Sequence, residues 1–370
     1  MKKSAILLTS ALFLFLGQAA ANGPSDLKAG FVFGNPDIQS IHALAFGPEG
    51  ILFIGDARRA EIFAVDVSDE VPRGESEDIN MKQVDVQIAA LLGTKPGALS
   101  IQDMAVNPLS RTVYLAVHLE NGTPVLMKSS GEKWEHVALD AVSYAKTGLT
   151  KAVEADAKDN RGRPLRQWAI SDMTFYEGKV MVSGLSNEEF SSIFRSIPFP
   201  FGKEQSYASL EIYHAAHGQY ETNSPIKTFL PYKLNGKSHL LASYTCTPLV
   251  IFPLDEMKPG AHTKGKTVAE LGNRNTPIDI VSYEKDGKSF LLLANSSRAL
   301  MKIDPAEIEN YRDYLTAPVE ENSATAGISF IALPYVNVQQ MDKLSDTQVL
   351  LLQRMANGDL DLHTQPNNRL

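Results

Sequence analysis

The sequence predicts an all-β fold, a six-bladed β-propeller of four-stranded antiparallel blades. The first observation behind this is a phrase that recurs along the chain. An apolar strand, Ile41-His42-Ala43-Leu44-Ala45-Phe46, meets a tight turn, Gly47-Pro48-Glu49-Gly50, and then a second apolar strand, Ile51-Leu52-Phe53-Ile54. The phrase returns at Ile101, Ile170, Ile226, Ile278 and Val338, at intervals of about 50 to 70 residues, the spacing of propeller blades. The second observation is turn chemistry. Asn121-Gly122, Glu177-Gly178, Asn235-Gly236, Asp286-Gly287 and Asn357-Gly358 suit two-residue antiparallel hairpins, whose central residues need positive φ. The third is that the last repeat runs out of chain. After 338–343, 349–352 and 359–363 no fourth strand remains, so a strand from elsewhere must complete that blade.

Taken in order, residues 1–21 read as a secretory leader. Lys2 and Lys3 supply the positive start, residues 5–16 the apolar stretch, and Ala19-Ala20-Ala21 the small-residue cleavage site. No apolar run reaches the roughly 20 residues that a membrane-spanning helix needs. The mature chain, residues 22–370, is therefore expected as a single propeller domain in the periplasm or outside the cell. Residues 28–33 precede the first blade and are the expected closing strand, paired beside 359–363 so that the N-terminal strand seals the ring. The second repeat displays a whole blade: 101–106, a turn at 107–111, 113–117, the hairpin at Glu120-Asn121-Gly122, 125–128 and 134–139. Residues 141–167 read as a polar loop, and 305–326 as a loop with a short helix at 305–309.

Composition narrows the function. Losing Lys2 and Lys3 with the leader leaves 33 basic against 43 acidic side chains, so the formal charge moves from −8 to −10. Such a balance excludes a nucleic-acid footprint, which needs a basic face. Cys246 is the single cysteine, so neither an intramolecular disulfide nor covalent haem through Cys-x-x-Cys-His can form. Stability has to come from apolar packing, which a chain with 44% hydrophobic residues supplies.

The loops that join second to third strands, and those that link one blade to the next, share one face of a four-stranded blade. Chemically capable residues crowd into them. His214, His217 and Glu221 are the sharpest group: two imidazoles and a carboxylate can ligate a divalent metal or work as an acid–base pair, provided the chain turns near Gly218. The alternative is a set of rim histidines that hydrogen-bond a neighbouring loop. Asn187, Glu188 and Asn295 offer the oxygen donors that a calcium-type ion prefers, against the plainer reading of a solvated hairpin. Arg298, Asn273 and Arg274 could grip an anion, and Cys246 on the same rim is a nucleophile only if a nearby cation lowers its pKa. Asp103, Asp172 and Asp279 recur at one position of three inner strands, which points to a structural bond to the neighbouring backbone.

The repeat Ile-x-x-Met-Ala-Val, turn, apolar strand, polar hairpin resembles the six-bladed propellers of the gluconolactonase, strictosidine synthase and NHL-repeat group over nearly the whole mature chain. The resemblance implies, for the lactonase branch, a calcium enzyme with Glu and Asn ligands around the channel, for which Glu188, Asn187 and Asn295 are the nearest candidates here. Three functions follow as expectations. One is a metal-assisted, lactonase-like hydrolase with one divalent ion, calcium or a transition metal, and with His214, Glu188 and Glu221 moving protons. Another is a propeller that binds a small molecule or a partner protein without turnover, through Arg298, Cys246, Asn273 and Arg274. The last is an accessory subunit of a periplasmic redox enzyme.

Overall fold

The structure, a computed structural model, describes residues 27–74, 78–272, 274–321 and 324–370; the leader expected at 1–21 and the candidate Asn273 lie outside the described residues. Six sheets stand around a central channel, antiparallel except where His262–Lys264 lies parallel to Ser206–His214 at one outer edge. Their inner strands are Ala43–Phe46, Leu99–Val106, Asp172–Tyr176, Ile226–Leu234, Pro277–Lys285 and Val338–Lys343. Each begins at one of the recurring phrases. The two-residue turns Glu177-Gly178, Asn235-Gly236 and Asp286-Gly287 all have positive φ at both positions, the backbone that matches the twist of paired strands. The helix expected at 305–309 is present as Pro305–Asn310, capped by the Asp304 carboxylate on the Ala306 N–H. Among the described residues no helix is long and apolar enough to cross a membrane.

The ring does not follow sequence order. Going round it, the first blade is followed by the third, fourth, fifth, sixth and second, and the second abuts the first again. Six apolar cores fill the six junctions. Ile51 and Phe53 of the first blade pack with Ile170 and Val180 of the third, whereas Leu52 and Ile54 pack with Tyr114 and Leu126 of the second. Val113 and Leu115 of the second blade meet Leu350 and Leu352 of the sixth.

Two expectations are corrected by this route. The N-terminal strand, Val32–Gly34, does not complete the sixth blade. It pairs with Val142–Gly148 on the outside of the first blade, where Val32 and Phe33 stay exposed. The strand beside Leu360–Pro366 is Asn80–Met81, which drops Met81 into the core between the second and sixth blades. Burial explains the choice: Met81 is 4% exposed, while Phe33 is 78% exposed. The stretch 141–167 is likewise more than a loop. After completing the second blade the chain returns, and Val142–Gly148 pairs with Glu61–Asp66 as the fourth strand of the first blade.

The blades are pinned at the hub by aspartates. Asp103 accepts a hydrogen bond from the Leu44 N–H at 2.6 Å, Asp172 from Phe229 at 2.8 Å, Asp279 from Met341 at 3.0 Å and Asp342 from Val106 at 2.7 Å. Each bond crosses from one blade to its ring neighbour, and each carboxylate's other oxygen accepts from the next backbone N–H of its own strand. The structural role expected for Asp103, Asp172 and Asp279 is what the bonds show. The four carboxylates, each partly exposed, line a cavity of about 540 Å³ at the axis. Burial pushes Asp103 up to about 8 and Asp172 and Asp342 up to about 6, and raises Asp279 well above the ordinary range.

Candidate metal centre

At the junction of the third and fourth blades the outer strand Ser206–His214 runs past its sheet and turns back as Gln219–Glu221. The reversal is made at Ala215-Ala216-His217-Gly218, with Gly218 N donating to Ala215 O at 3.2 Å and Gly218 at φ +65°. Val319 N donates to Ala215 O at 2.9 Å, so the segment carrying Pro318 and Val319 packs over the turn. In this ribbon Ile212 faces Glu221 and His214 faces Gln219. A period of two then puts His214 and Glu221 on one side and Tyr213 and Tyr220 on the other, where the two tyrosine rings meet edge to face at 5.1 Å.

The turn folds His217 back over His214, bringing the ring centroids to 3.8 Å. One carboxylate holds both rings. His214 Nδ1 lies 2.9 Å from Glu221 Oε2 and His217 Nδ1 lies 2.6 Å from Oε1. Ser224 Oγ donates to Oε2 at 2.5 Å and Gln219 Nε2 to Oε1 at 3.3 Å. Burial works against ionisation of Glu221, yet the hydrogen bonds from His214, Ser224 and His217 override it and hold the carboxyl well below the usual range. The ligating atoms of His214, His217 and Glu221 all lie within 4.8 Å of one another. His214 is buried, and the His217 side chain is 44% exposed, so the centre is walled on one side and open on the other.

A fourth residue belongs to this place, and nothing near it in sequence marks it. Glu270 ends the outer strand Lys266–Glu270 of the fourth blade and is 1% exposed. Its Oε1 accepts from the Ala216 N–H at 3.1 Å, inside the His214–His217 turn, while its Oε2 is buried with no partner. His214 Nε2 is likewise buried and without a partner. Burial raises the Glu270 carboxyl, and the neighbouring His214 and His217 partly offset the rise. The one available signal is a carboxylate in the otherwise apolar run Val268-Ala269-Glu270-Leu271.

The other candidates fall in different settings. Cys246 sits in a turn of the fourth blade with φ +69°, followed by Thr247 at +85°. Burial, then the charges of Glu221 and Glu270, push its thiol up, so it is not an activated nucleophile. Thr247 Oγ donates to Gly272 O at 2.9 Å, and the Arg298 guanidinium lies against Gly272, so Cys246 and Arg298 flank one loop. Arg274 is exposed on that loop at φ +58°. Asn295 is buried with both ends of its amide in use, accepting from Asn275 at 2.8 Å and donating to Leu293 O at 3.0 Å. Asn187 donates to Glu154 at 3.0 Å and Glu188 pairs with Lys151 at 3.1 Å. The oxygen set of Asn187, Glu188 and Asn295 is thus distributed among separate local bonds, whereas His214, His217 and Glu221 form one cluster.

No family model matches the chain, and no curated protein matches it. Among solved structures, the extracellular domains 1-2 of Drosophila Semaphorin 1b align at TM-score 0.37 and 12% identity, covering 91% of this chain and 86% of that one. A protein described as a putative oxidoreductase (glucose dehydrogenase) from Thermus thermophilus aligns at TM-score 0.37 and 12% identity, covering 91% and 100%. The PQQ-bound aldose sugar dehydrogenase of Streptomyces coelicolor aligns at TM-score 0.32 and 14% identity, covering 91% and 99%. None of these three is a gluconolactonase-type protein, and the six-bladed propeller itself rests on the six sheets of this structure.

Proposed function

We propose that this chain is an exported propeller that holds one divalent transition-metal ion at the junction of its third and fourth blades and uses it to hydrolyse a small ester or lactone. One observation carries the reading: His214, His217 and Glu221 bring their ligating atoms within 4.8 Å of one another, beside the unpartnered buried oxygen of Glu270. Two imidazoles with a carboxylate suit a zinc-like ion, and three protein ligands leave a position for water or substrate. The exposed side chain of His217 gives a small molecule its approach. A divalent ion bound there would supply Lewis acidity toward a carbonyl oxygen. The chain's own residues do the rest. Glu221 fixes both rings, and Arg298 on Gly272 offers positive charge on the adjoining loop for an anionic part of the substrate. Water adds to the carbonyl carbon, the bond to the leaving oxygen breaks, and that oxygen takes up the proton the water releases. The leader at residues 1–21 supports export.

Metal analysis of the mature protein, purified without chelator, should return one ion per chain. His214→Ala should lose the ion and any hydrolysis of aryl esters or lactones while keeping the β-rich circular dichroism of the parent. Failure to retain zinc, manganese or copper after dialysis would sink the proposal. A firmly held ion without turnover would instead favour a binding propeller.

A further inference from the structure

The hydrogen bonds at the cluster distinguish the side-chain atoms that are already engaged from those still open to an ion. An ionised carboxylate has about four acceptor positions. Glu221 fills them with His214 Nδ1, Ser224 Oγ, His217 Nδ1 and Gln219 Nε2. It has none left for an ion unless one of those bonds is given up. Two polar atoms at the same turn have the opposite problem. His214 Nε2 and Glu270 Oε2 are buried, each on a residue 1% exposed, and neither has a partner. Buried polar groups are nearly always satisfied, and one left alone is costly. Two such atoms here share a neighbourhood, because Glu270 is anchored by its other oxygen to the Ala216 N–H, between the two histidines. The imidazoles lie one over the other, tilted by 39°, with their Nδ1 edges on one carboxylate, so both rings turn their Nε2 edges away from Glu221.

We infer that the ion is ligated by Nε2 of His214, Nε2 of His217 and Oε2 of Glu270, with Glu221 behind the rings as the carboxylate that orients them. This inference rests on the metal reading and refines it. Metal-bound imidazoles characteristically donate their other N–H to a carboxylate, which sets the tautomer and the ring orientation. Here a single carboxylate does this for two rings. Glu221 is then a positioning residue and Glu270 the ligand, the reverse of what proximity in sequence suggests.

Long-range proton–nitrogen NMR of the full mature chain, labelled with nitrogen-15 at histidine, tests this without any substrate. In the metal-free protein both rings should carry the proton on Nδ1, and added Zn(II) should move the Nε2 resonances while Nδ1 stays protonated. Glu270→Gln should weaken zinc binding by more than about 100-fold, and Glu221→Gln by about 10- to 100-fold with the Nε2 pattern kept, as expected of ligand and orienting carboxylate respectively. Zinc-induced shifts at Nδ1, or a Glu270→Gln variant that binds like the parent while Glu221→Gln does not, would overturn the assignment and leave the metal reading standing. If zinc moves neither histidine, the metal reading falls and takes the assignment with it.

Discussion

Glu221 and Glu270 are the same amino acid in two electrostatic situations. Glu221 meets four donors and stays ionised; Glu270 meets backbone at one oxygen, nothing at the other, and is raised by burial. The first lies within eight residues of its imidazoles and can be suspected from the sequence. The second cannot, because a lone carboxylate on an outer strand gains meaning only once the abutting blade is known. The same applies to Gly272, whose role is set by Arg298 on the next blade. Gly272 sits at φ +91°, and a Cβ there would fall 2.0 Å from Arg298 Nη2. Gly272→Ala should therefore destabilise the protein by about 1–2 kcal/mol from the left-handed backbone alone, with the displaced guanidinium adding to it. Urea unfolding of Gly272→Ala in the parent and in an Arg298→Ala background separates the two, and the cost should be smaller in the second. Equal costs would mean that the guanidinium yields freely.

At the scale of elements, local chemistry was readable and partnership was not. The paired phrases and the Asn-Gly, Asp-Gly and Glu-Gly turns mark hairpins because both depend on neighbours in sequence. The outer strands depend on distant ones. Val142–Gly148 is half solvated and short of apolar residues, so it resembles a loop until Glu61–Asp66 is seen beside it. Residues 28–33 look like a better closing strand than Asn80–Met81 because they are richer in aromatic and β-branched side chains. What counts is the cavity to be filled, and Met81 fills it together with Ile79, Met127 and Leu362. Met81→Ala should thus cost about 2–5 kcal/mol in urea unfolding, the usual range for a buried methionine. Phe33→Ala, on the exposed N-terminal strand, should stay within about 0.5 kcal/mol. A larger loss at Phe33 than at Met81 would contradict the closure seen here.

For the whole molecule, blade number was legible and ring order was not. Repeats can be counted along a chain, whereas the exchange of the first two blades is recorded only in which cores meet. The hub aspartates record that order: three of the four tie blades that are also consecutive in sequence, and the fourth, Asp342 with Val106, joins the sixth blade to the second. They also make a prediction about pH. Asp103, raised to about 8, and Asp172 and Asp342, raised to about 6, take up protons in the folded state at pH values where the unfolded chain, near 3.8, has released them. Their contribution to stability is therefore complete below about pH 4 and is lost as pH rises through 6 and then 8. Asp172 and Asp279 repel Asp103 and Lys227 attracts it, so the charge of Lys227 limits the rise. Between pH 6 and 8 Asp103 alone should lower unfolding stability by at most about 1 kcal/mol per pH unit, since one proton separates the two states and channel water screens part of the effect. Urea unfolding at pH 6, 7 and 8 should show this decline in the parent and a flatter line in Asp103→Asn, whatever the absolute cost of the substitution. A variant with the parent's slope would mean that Asp103 is already ionised at pH 6 and that the hub carries its charge unprotonated.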